Sequence, residues 1–180
     1  MKLDKILVPL DGSPLAEAAL APAVEMARTS GGGLLLLRAA QAHTLPGVDA
    51  TEAEVRVVRE AETYLAEAAE RARALGAREV ETTVWYGPAA VAILEAAAFH
   101  KVGLIVMTTH GRTGLGRLIL GSVAESVLRG TPTPILLLRA EGAALERPAT
   151  HGEARPWLPE TDARHLAEAV ASRAARERRG

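Results

Sequence analysis

Short apolar runs recur along the first 140 residues and predict strands. Residues 6–10, 34–37, 103–107 and 134–138 contain almost no polar side chain, and residues 79–85 form a fifth, more polar segment. Unbroken apolar runs are typical of strands that are covered on both faces, as in a parallel sheet. The pattern therefore predicts five strands, most of them central.

Segments whose apolar residues recur at helical spacing lie between these runs. Ser13 and Pro14 favour a helix start, with Ser13 as cap, and Pro22 is expected to kink the helix that follows. Thr51 opens a capping box before a long apolar-periodic segment that ends near Gly76. Two further helices are predicted, over residues 87–98 and 121–128.

Alternating strands and helices favour an α/β fold: an open five-stranded parallel sheet with helices on both faces. Ligands of such sheets bind beyond the carboxyl ends of the strands, where the strand order reverses. This rule points to residues 9–13, 38–40 and 108–122. Beyond residue 140 the composition changes, and we expect residues 1–140 to form the α/β domain, 141–159 a linker and 160–180 a helical C-terminal tail.

Composition excludes several classes of function. The formal net charge is −1 and aromatic residues make up only 3% of the chain, which disfavours nucleic-acid binding. Cysteine is absent, so disulfides and thiol chemistry are excluded. No apolar run reaches the ~18 residues needed to span a membrane, and no signal peptide is visible. We expect a cytoplasmic protein that does not bind membranes.

The glycine-rich segment between residues 108 and 122 carries the candidate chemistry. Gly111, Gly114 and Gly121 allow backbone N–H groups to approach an anion, and Gly121-Ser122 begins a predicted helix whose N-terminus favours phosphate. Arg112 adds a positive charge. A phosphate-binding Walker loop is absent, because no glycine loop here ends in Lys-Ser or Lys-Thr.

Simpler structural roles compete with binding at three positions. Ser122 starts a capping box and could serve only as a helix cap. Asp11 could serve only its own turn, Asp-Gly-Ser-Pro. His110 is a weak candidate for an acid or base, because no partner that would orient it is visible in the sequence.

Three motifs together make the chain resemble a universal stress protein. They are KILVPLDGS at residues 5–13, THGRTGL at 109–115, and LGSVAE at 120–125 followed by PTPIL at 132–136. The ATP-binding branch of that family has the pattern Gly-x2-Gly-x9-Gly-Ser/Thr. This chain matches it at Gly111, Gly121 and Ser122, but Thr108 replaces the first glycine and either narrows the ribose pocket or donates a hydroxyl.

The resemblance implies an adenine-nucleotide site, for ATP or for ADP or AMP. Gly111, Gly121, Ser122 and the amide of Val123 are expected to face the phosphates, and Asp11 is expected to contact the ribose or a Mg²⁺ that arrives with the nucleotide. The complete set of candidate binding residues is Pro9, Leu10, Asp11, Ser13, Ala39, Met107, Thr108, Gly111, Arg112, Gly114, Gly121, Ser122 and Val123.

The same resemblance implies a regulatory stress-response protein that forms a homodimer. The last predicted strand, from Pro134 to Leu138, is apolar and suited to pairing across a dimer axis. Two alternatives remain: a slow ATPase, and a nucleotide-free dimeric interaction module in which Thr108 blocks the pocket. The C-terminal tail is a candidate for contact with an unknown protein partner.

Overall fold

A computed structural model describes residues 3–42, 50–109 and 121–139. They form one five-stranded, wholly parallel sheet in the order β3-β2-β1-β4-β5. The strands are β1 (Lys5–Pro9), β2 (Gly33–Ala40), β3 (Val80–Tyr86), β4 (Leu104–Thr108) and β5 (Ile135–Leu138). The helices are α1 (Pro14–Glu17), α2 (Leu20–Ser30), α3 (Ala50–Ala74), α4 (Ala89–Phe99) and α5 (Ser122–Gly130). The predicted α/β architecture is confirmed.

The two faces of the sheet carry separate apolar cores. Alternate strand residues, among them Ile6, Leu36 and Val106, pack against α1, α2 and α3. The intervening residues, among them Leu7 and Ile105, pack against α4 and α5. Successive side chains of a strand point to opposite faces, so both faces of the central strands are buried. This explains the unbroken apolar runs in the sequence.

The first helical segment is broken into two helices, where the sequence predicted a kink. α1 ends at Glu17 and α2 starts at Leu20, which puts Pro22 in the first turn of α2. First-turn N–H groups have no partner within the helix, so proline loses no hydrogen bond there. Within one continuous helix, its ring would clash with the carbonyl of Ala18. Breaking the helix avoids that clash.

The predicted capping box at Thr51 is wrong. α3 already includes Ala50, so Thr51 lies within the helix. Alanine has the strongest helix propensity of all residues, which favours extension beyond the expected cap. No helix in the described ranges is both long and apolar enough to cross a membrane.

Part of the sequence-based prediction falls outside the described residues. This applies to His110, Gly111, Arg112 and Gly114 of the glycine-rich segment. It applies equally to the predicted linker and C-terminal tail, residues 141–180.

Candidate functional site

A cavity of about 270 Å³ opens at the carboxyl ends of β1, β2 and β4. β1 lies between β2 and β4 in the sheet. The chain adds β2 and β3 on one side of β1 and then β4 and β5 on the other side, so this is the point where strand order reverses. Nine predicted site residues line the cavity: Pro9, Leu10, Asp11, Ala39, Met107, Thr108, Gly121, Ser122 and Val123. The wall is completed by five further residues, Ala16, Leu37, Ala89, Ile93 and Ala124.

The turn after β1 brings Asp11 to the cavity. Gly12 adopts φ +82°, a left-handed conformation that favours glycine. The N–H of Ser13 donates to Asp11 Oδ1 at 2.9 Å. The carboxylate therefore stabilises its own turn, which is the structural role that the sequence offered as an alternative. Asp11 nevertheless lines the cavity as well. The turn therefore holds one carboxylate in place at the cavity wall.

Ser13 lies next to this turn but is not part of the cavity wall. Its Oγ accepts from the N–H of Ala16 at 3.1 Å, and it is the N-cap of α1, as the sequence predicted. The side chain is buried. Ser13 was expected among the binding residues, but in this structure it holds the first turn of α1, which carries Ala16 to the cavity.

The N-terminus of α5 also faces the cavity. The alternative that Ser122 only caps this helix is wrong: Gly121 is the N-cap, Ser122 is the first helical residue, and no side chain of the described residues caps the end. A cap needs an extended backbone, which Gly121 adopts with ψ 146°. The first N–H groups of a helix lack partners within it. Ser122, Val123 and Ala124 carry such groups, and all three line the cavity.

The end of β2 offers backbone groups rather than polar side chains. The N–H of Leu10 donates to Leu37 O at 2.8 Å, and the N–H of Gly87 donates to Ala40 O at 2.8 Å. The backbone N–H and C=O groups of successive residues in a strand point alternately to the two neighbouring strands. Those of Ala39 therefore face the β1 side, like those of Leu37. β1 has already ended at Pro9. Ala39 therefore turns one donor and one acceptor toward the cavity.

Most of the remaining wall residues carry no signal in the sequence that would mark them as ligand contacts. Ala16, Ala89 and Ala124 each lie at a helix start, where a small side chain leaves room for a ligand. Alanine carries no chemical signature, so only its position marks it. Ala89 follows β3, whose carboxyl end lies at the same edge of the sheet, and a complete application of the strand-end rule would have included it.

The described residues do not form a metal centre. Across residues 3–42, 50–109 and 121–139, no three His, Asp or Glu side chains come together in a geometry that could hold a metal ion. Asp11 is a single carboxylate, and one of its oxygens already accepts from Ser13. Mg²⁺ usually takes one or two carboxylates together with phosphate oxygens. Asp11 by itself therefore does not fit a resident Mg²⁺.

The part of the chain that matches a known protein family ends at the same residue as the described α/β fold. The model of the universal stress protein family matches residues 2–139. The chain belongs to the universal stress protein family. The resemblance inferred from the three sequence motifs is thereby confirmed.

Relatives in this family come from distant organisms. A universal stress protein of Thermus aquaticus is 36% identical over 136 residues, which cover 74% of this chain and 97% of the relative. Another, from Methanocaldococcus jannaschii, is 30% identical over 140 residues, covering 75% and 81%. Both alignments leave about a quarter of this chain unmatched.

Solved structures of the family share the fold. The universal stress protein UspA from Lactobacillus plantarum has a TM-score of 0.68 at 25% identity, covering 77% of this chain and 99% of that chain. A universal stress protein crystallised in complex with cAMP has a TM-score of 0.63 at 25% identity, covering 78% and 99%. That neighbour binds an adenine nucleotide.

Proposed function

We propose that this universal stress protein binds an adenine nucleotide in the cavity at the ends of β1, β2 and β4, and acts as a cytoplasmic regulatory protein rather than a fast enzyme. The observation that carries the proposal is the N-terminus of α5 at the cavity wall, where no side chain of residues 3–42, 50–109 or 121–139 caps the helix. Free N–H groups and the helix dipole favour a phosphate at such an end. The related structure with bound cAMP supports the same ligand class.

The apolar part of the cavity wall suits an adenine base. Leu37, Ile93 and Met107 give it apolar walls that can pack against a flat ring. The N–H and C=O of Ala39 complement the edge of adenine, where a ring nitrogen accepts and the amino group donates. Asp11 follows β1, which lies between β2 and β4 in the sheet, and it suits a ribose hydroxyl, which donates to a carboxylate.

We further propose ATP as the preferred nucleotide, on the resemblance of the glycine-rich segment to the ATP-binding pattern. Thr108 is the departure from that pattern, and it is buried at the end of β4 in the cavity wall. Its side chain occupies space that a glycine would leave open. Comparing ATP, ADP, AMP and cAMP therefore tests both the ligand class and the effect of Thr108.

The decisive experiment starts with the full-length protein as purified. Denaturation followed by mass spectrometry identifies any nucleotide that is released, and calorimetric titration of the ligand-free protein then gives affinities for the four nucleotides. Binding of at least one is expected. No binding of any of them at millimolar concentration would overturn the proposal.

Gly121→Val tests the position of the phosphate. A branched side chain at this helix end obstructs close approach of an anion to the backbone, so we expect at least about tenfold weaker binding, equivalent to about 1.4 kcal/mol. Ser126→Ala is the matched control, because Ser126 lies on the same helix and its Oγ donates only to Ser122 O, at 2.7 Å, in the described contacts. Equal affinities of Gly121→Val and the control would refute the phosphate assignment.

Phosphate release from ATP is measured in the same samples. A turnover of about 1 per second or more, which is typical of enzymes, would contradict the regulatory role.

We also propose a homodimer that pairs through β5, since β5 is an edge of the sheet.

A further inference from the structure

Arg38 lies on the reverse side of the cavity. Leu37 and Ala39 line the cavity, and Arg38 between them points to the opposite face of β2, toward α1 and α3. Its side chain is half-buried. In the part of the chain that the structure describes, no carboxylate forms an ion pair with this guanidinium. A half-buried cation without a carboxylate needs another explanation.

The guanidinium of Arg38 fills the space between the turn after β1 and helix α3. Its Cζ lies 4.5 Å from the centre of the Tyr64 ring, a cation–π distance. On the other side it lies close to Gly12: a Cβ on Gly12 would be 3.0 Å from Arg38 Nη1. Gly12 therefore satisfies two demands, a positive φ and room for the guanidinium.

Tyr64 is itself fixed by a small polar network. Its hydroxyl donates to Glu17 Oε1 at 2.8 Å, and Arg71 Nη2 donates to the same oxygen at 3.0 Å. Burial, followed by the hydrogen bond to the Glu17 carboxylate, raises the pKa of Tyr64 well above its usual value, so the phenol stays a hydrogen-bond donor even in alkaline solution. Glu17 belongs to α1, the helix that Ser13 caps. The network thus ties α3 to α1, the helix that follows the turn.

We propose that Arg38 is a positioning residue, which, stacked on Tyr64, supports the Asp11-Gly12-Ser13 turn from behind and holds Asp11 at the cavity wall. This inference rests on the proposed nucleotide site for its consequence, because a correctly held Asp11 raises affinity. Its structural part, the ordering of the turn, holds with or without a ligand. Arg38 lies beside the turn and is not part of the cavity wall, so it acts through Asp11.

Hydrogen–deuterium exchange of the ligand-free protein tests the structural part. Arg38→Met keeps most of the aliphatic stem and removes the guanidinium, and exchange over residues 11–16 should rise about fivefold or more, since local opening costs less free energy. Exchange in β4 and α4 should not change. Arg73→Met is the control, because Arg73 lies on α3 but pairs with Glu70 at 2.7 Å, away from the turn. Unchanged exchange, or a rise spread over the whole domain, overturns the inference.

A double-mutant cycle tests the consequence for binding. Arg38→Met should weaken the affinity for the nucleotide that binds best by about fivefold to twentyfold, within the usual range of coupling between sites. In the Asp11→Asn background the same change should cost less than about twofold, because its effect passes through Asp11. An undiminished effect would mean that Arg38 acts by another route.

The two measurements separate the two proposals. If the unmodified protein binds none of the four nucleotides, the proposed function fails while the exchange experiment still decides whether Arg38 orders the turn. If the unmodified protein binds and Arg38→Met binds equally tightly, the positioning role fails while the nucleotide site stands.

Discussion

The backbone N–H of Ser13 donates to Oδ1 of Asp11 at 2.9 Å, so the carboxylate at the cavity wall also shapes the turn that carries it. Asn at position 11 keeps a side-chain oxygen for this bond but removes the negative charge. We expect Asp11→Asn to keep the unfolding temperature within about 2 °C and to weaken nucleotide binding about tenfold, because a hydrogen bond to a charged group contributes about 1.5–3 kcal/mol.

Asp11→Ala, which removes the oxygen as well, should lower both affinity and stability. Thermal unfolding and calorimetric titration of both variants distinguish the two roles. Equal affinity of Asp11→Asn and the unmodified protein would show that the charge does not contact the ligand.

Ser13 supplies a second, separable prediction. Its Oγ caps α1 through the N–H of Ala16 at 3.1 Å, and it is absent from the cavity wall. Ser13→Ala should therefore lower the free energy of unfolding by about 1 kcal/mol, the usual cost of a lost cap. Urea unfolding measures the loss, and Ser13→Asp, which restores a capping oxygen, should recover most of it. A large loss of affinity with unchanged stability would instead make Ser13 a ligand contact.

The sequence was sufficient for the fold because its signals there are repetitive. Leu34 to Leu37 form an apolar run that is typical of a strand buried on both faces, and Gly31 ends α2 in the left-handed conformation that its residue type favours. The positions at which helices begin and end were less predictable. The start of α3 at Ala50 depends on competition between local propensities that differ by a fraction of a kcal/mol, and a proline within a helical pattern can either kink the helix or break it.

The candidate site was predictable where chemistry marks it and unpredictable where shape does. Asp11, Gly121 and Ser122 stand in recognisable motifs, and the structure brings them to one cavity. Ile93 forms part of the wall through packing of α4 over the sheet, which no local pattern encodes. Arg38 was noted only as part of a strand end, because its contacts to Gly12 and Tyr64 join segments that are distant in sequence.

Tyr64 predicts a specific dependence of stability on pH. Its pKa is raised in the folded state, by burial and by Glu17, above the value of about 10 expected when unfolded. Above pH 10 the unfolded chain loses this proton while the folded protein keeps it, so the free energy of unfolding falls as pH rises. Below pH 10 both states are protonated and the full stabilisation is present.

Urea unfolding between pH 8 and pH 11 measures this dependence. Tyr64→Phe should flatten the alkaline decline and lower stability at pH 8 by about 1 kcal/mol, the net contribution of a typical hydrogen bond. Tyr86→Phe is the control, because Tyr86 also donates to a carboxylate, Glu54 at 3.2 Å, but is 52% exposed. Identical pH profiles of the two variants would contradict the assignment to Tyr64.

The proposed dimer predicts an asymmetry between neighbouring residues of β5. The N–H of Ile105 donates to Pro134 O, and the N–H of Thr109 donates to Leu138 O, both at 2.9 Å. Backbone groups of a strand alternate in direction, so Leu136 faces β4 while Leu137 faces the open edge. Proline at position 137 removes only an outward N–H, which edge strands tolerate better than central ones.

Leu137→Pro should therefore yield a folded monomer, whereas Leu136→Pro should destabilise the sheet itself, because it removes a hydrogen bond to β4. Light scattering after size-exclusion chromatography gives the mass, and circular dichroism reports whether each variant is folded. A folded Leu137→Pro variant that still forms dimers would show that the chains do not pair through the backbone of β5. A folded monomer at concentrations where the unmodified chain is dimeric is the expected result, because the variant lacks an N–H that each subunit would donate across the interface.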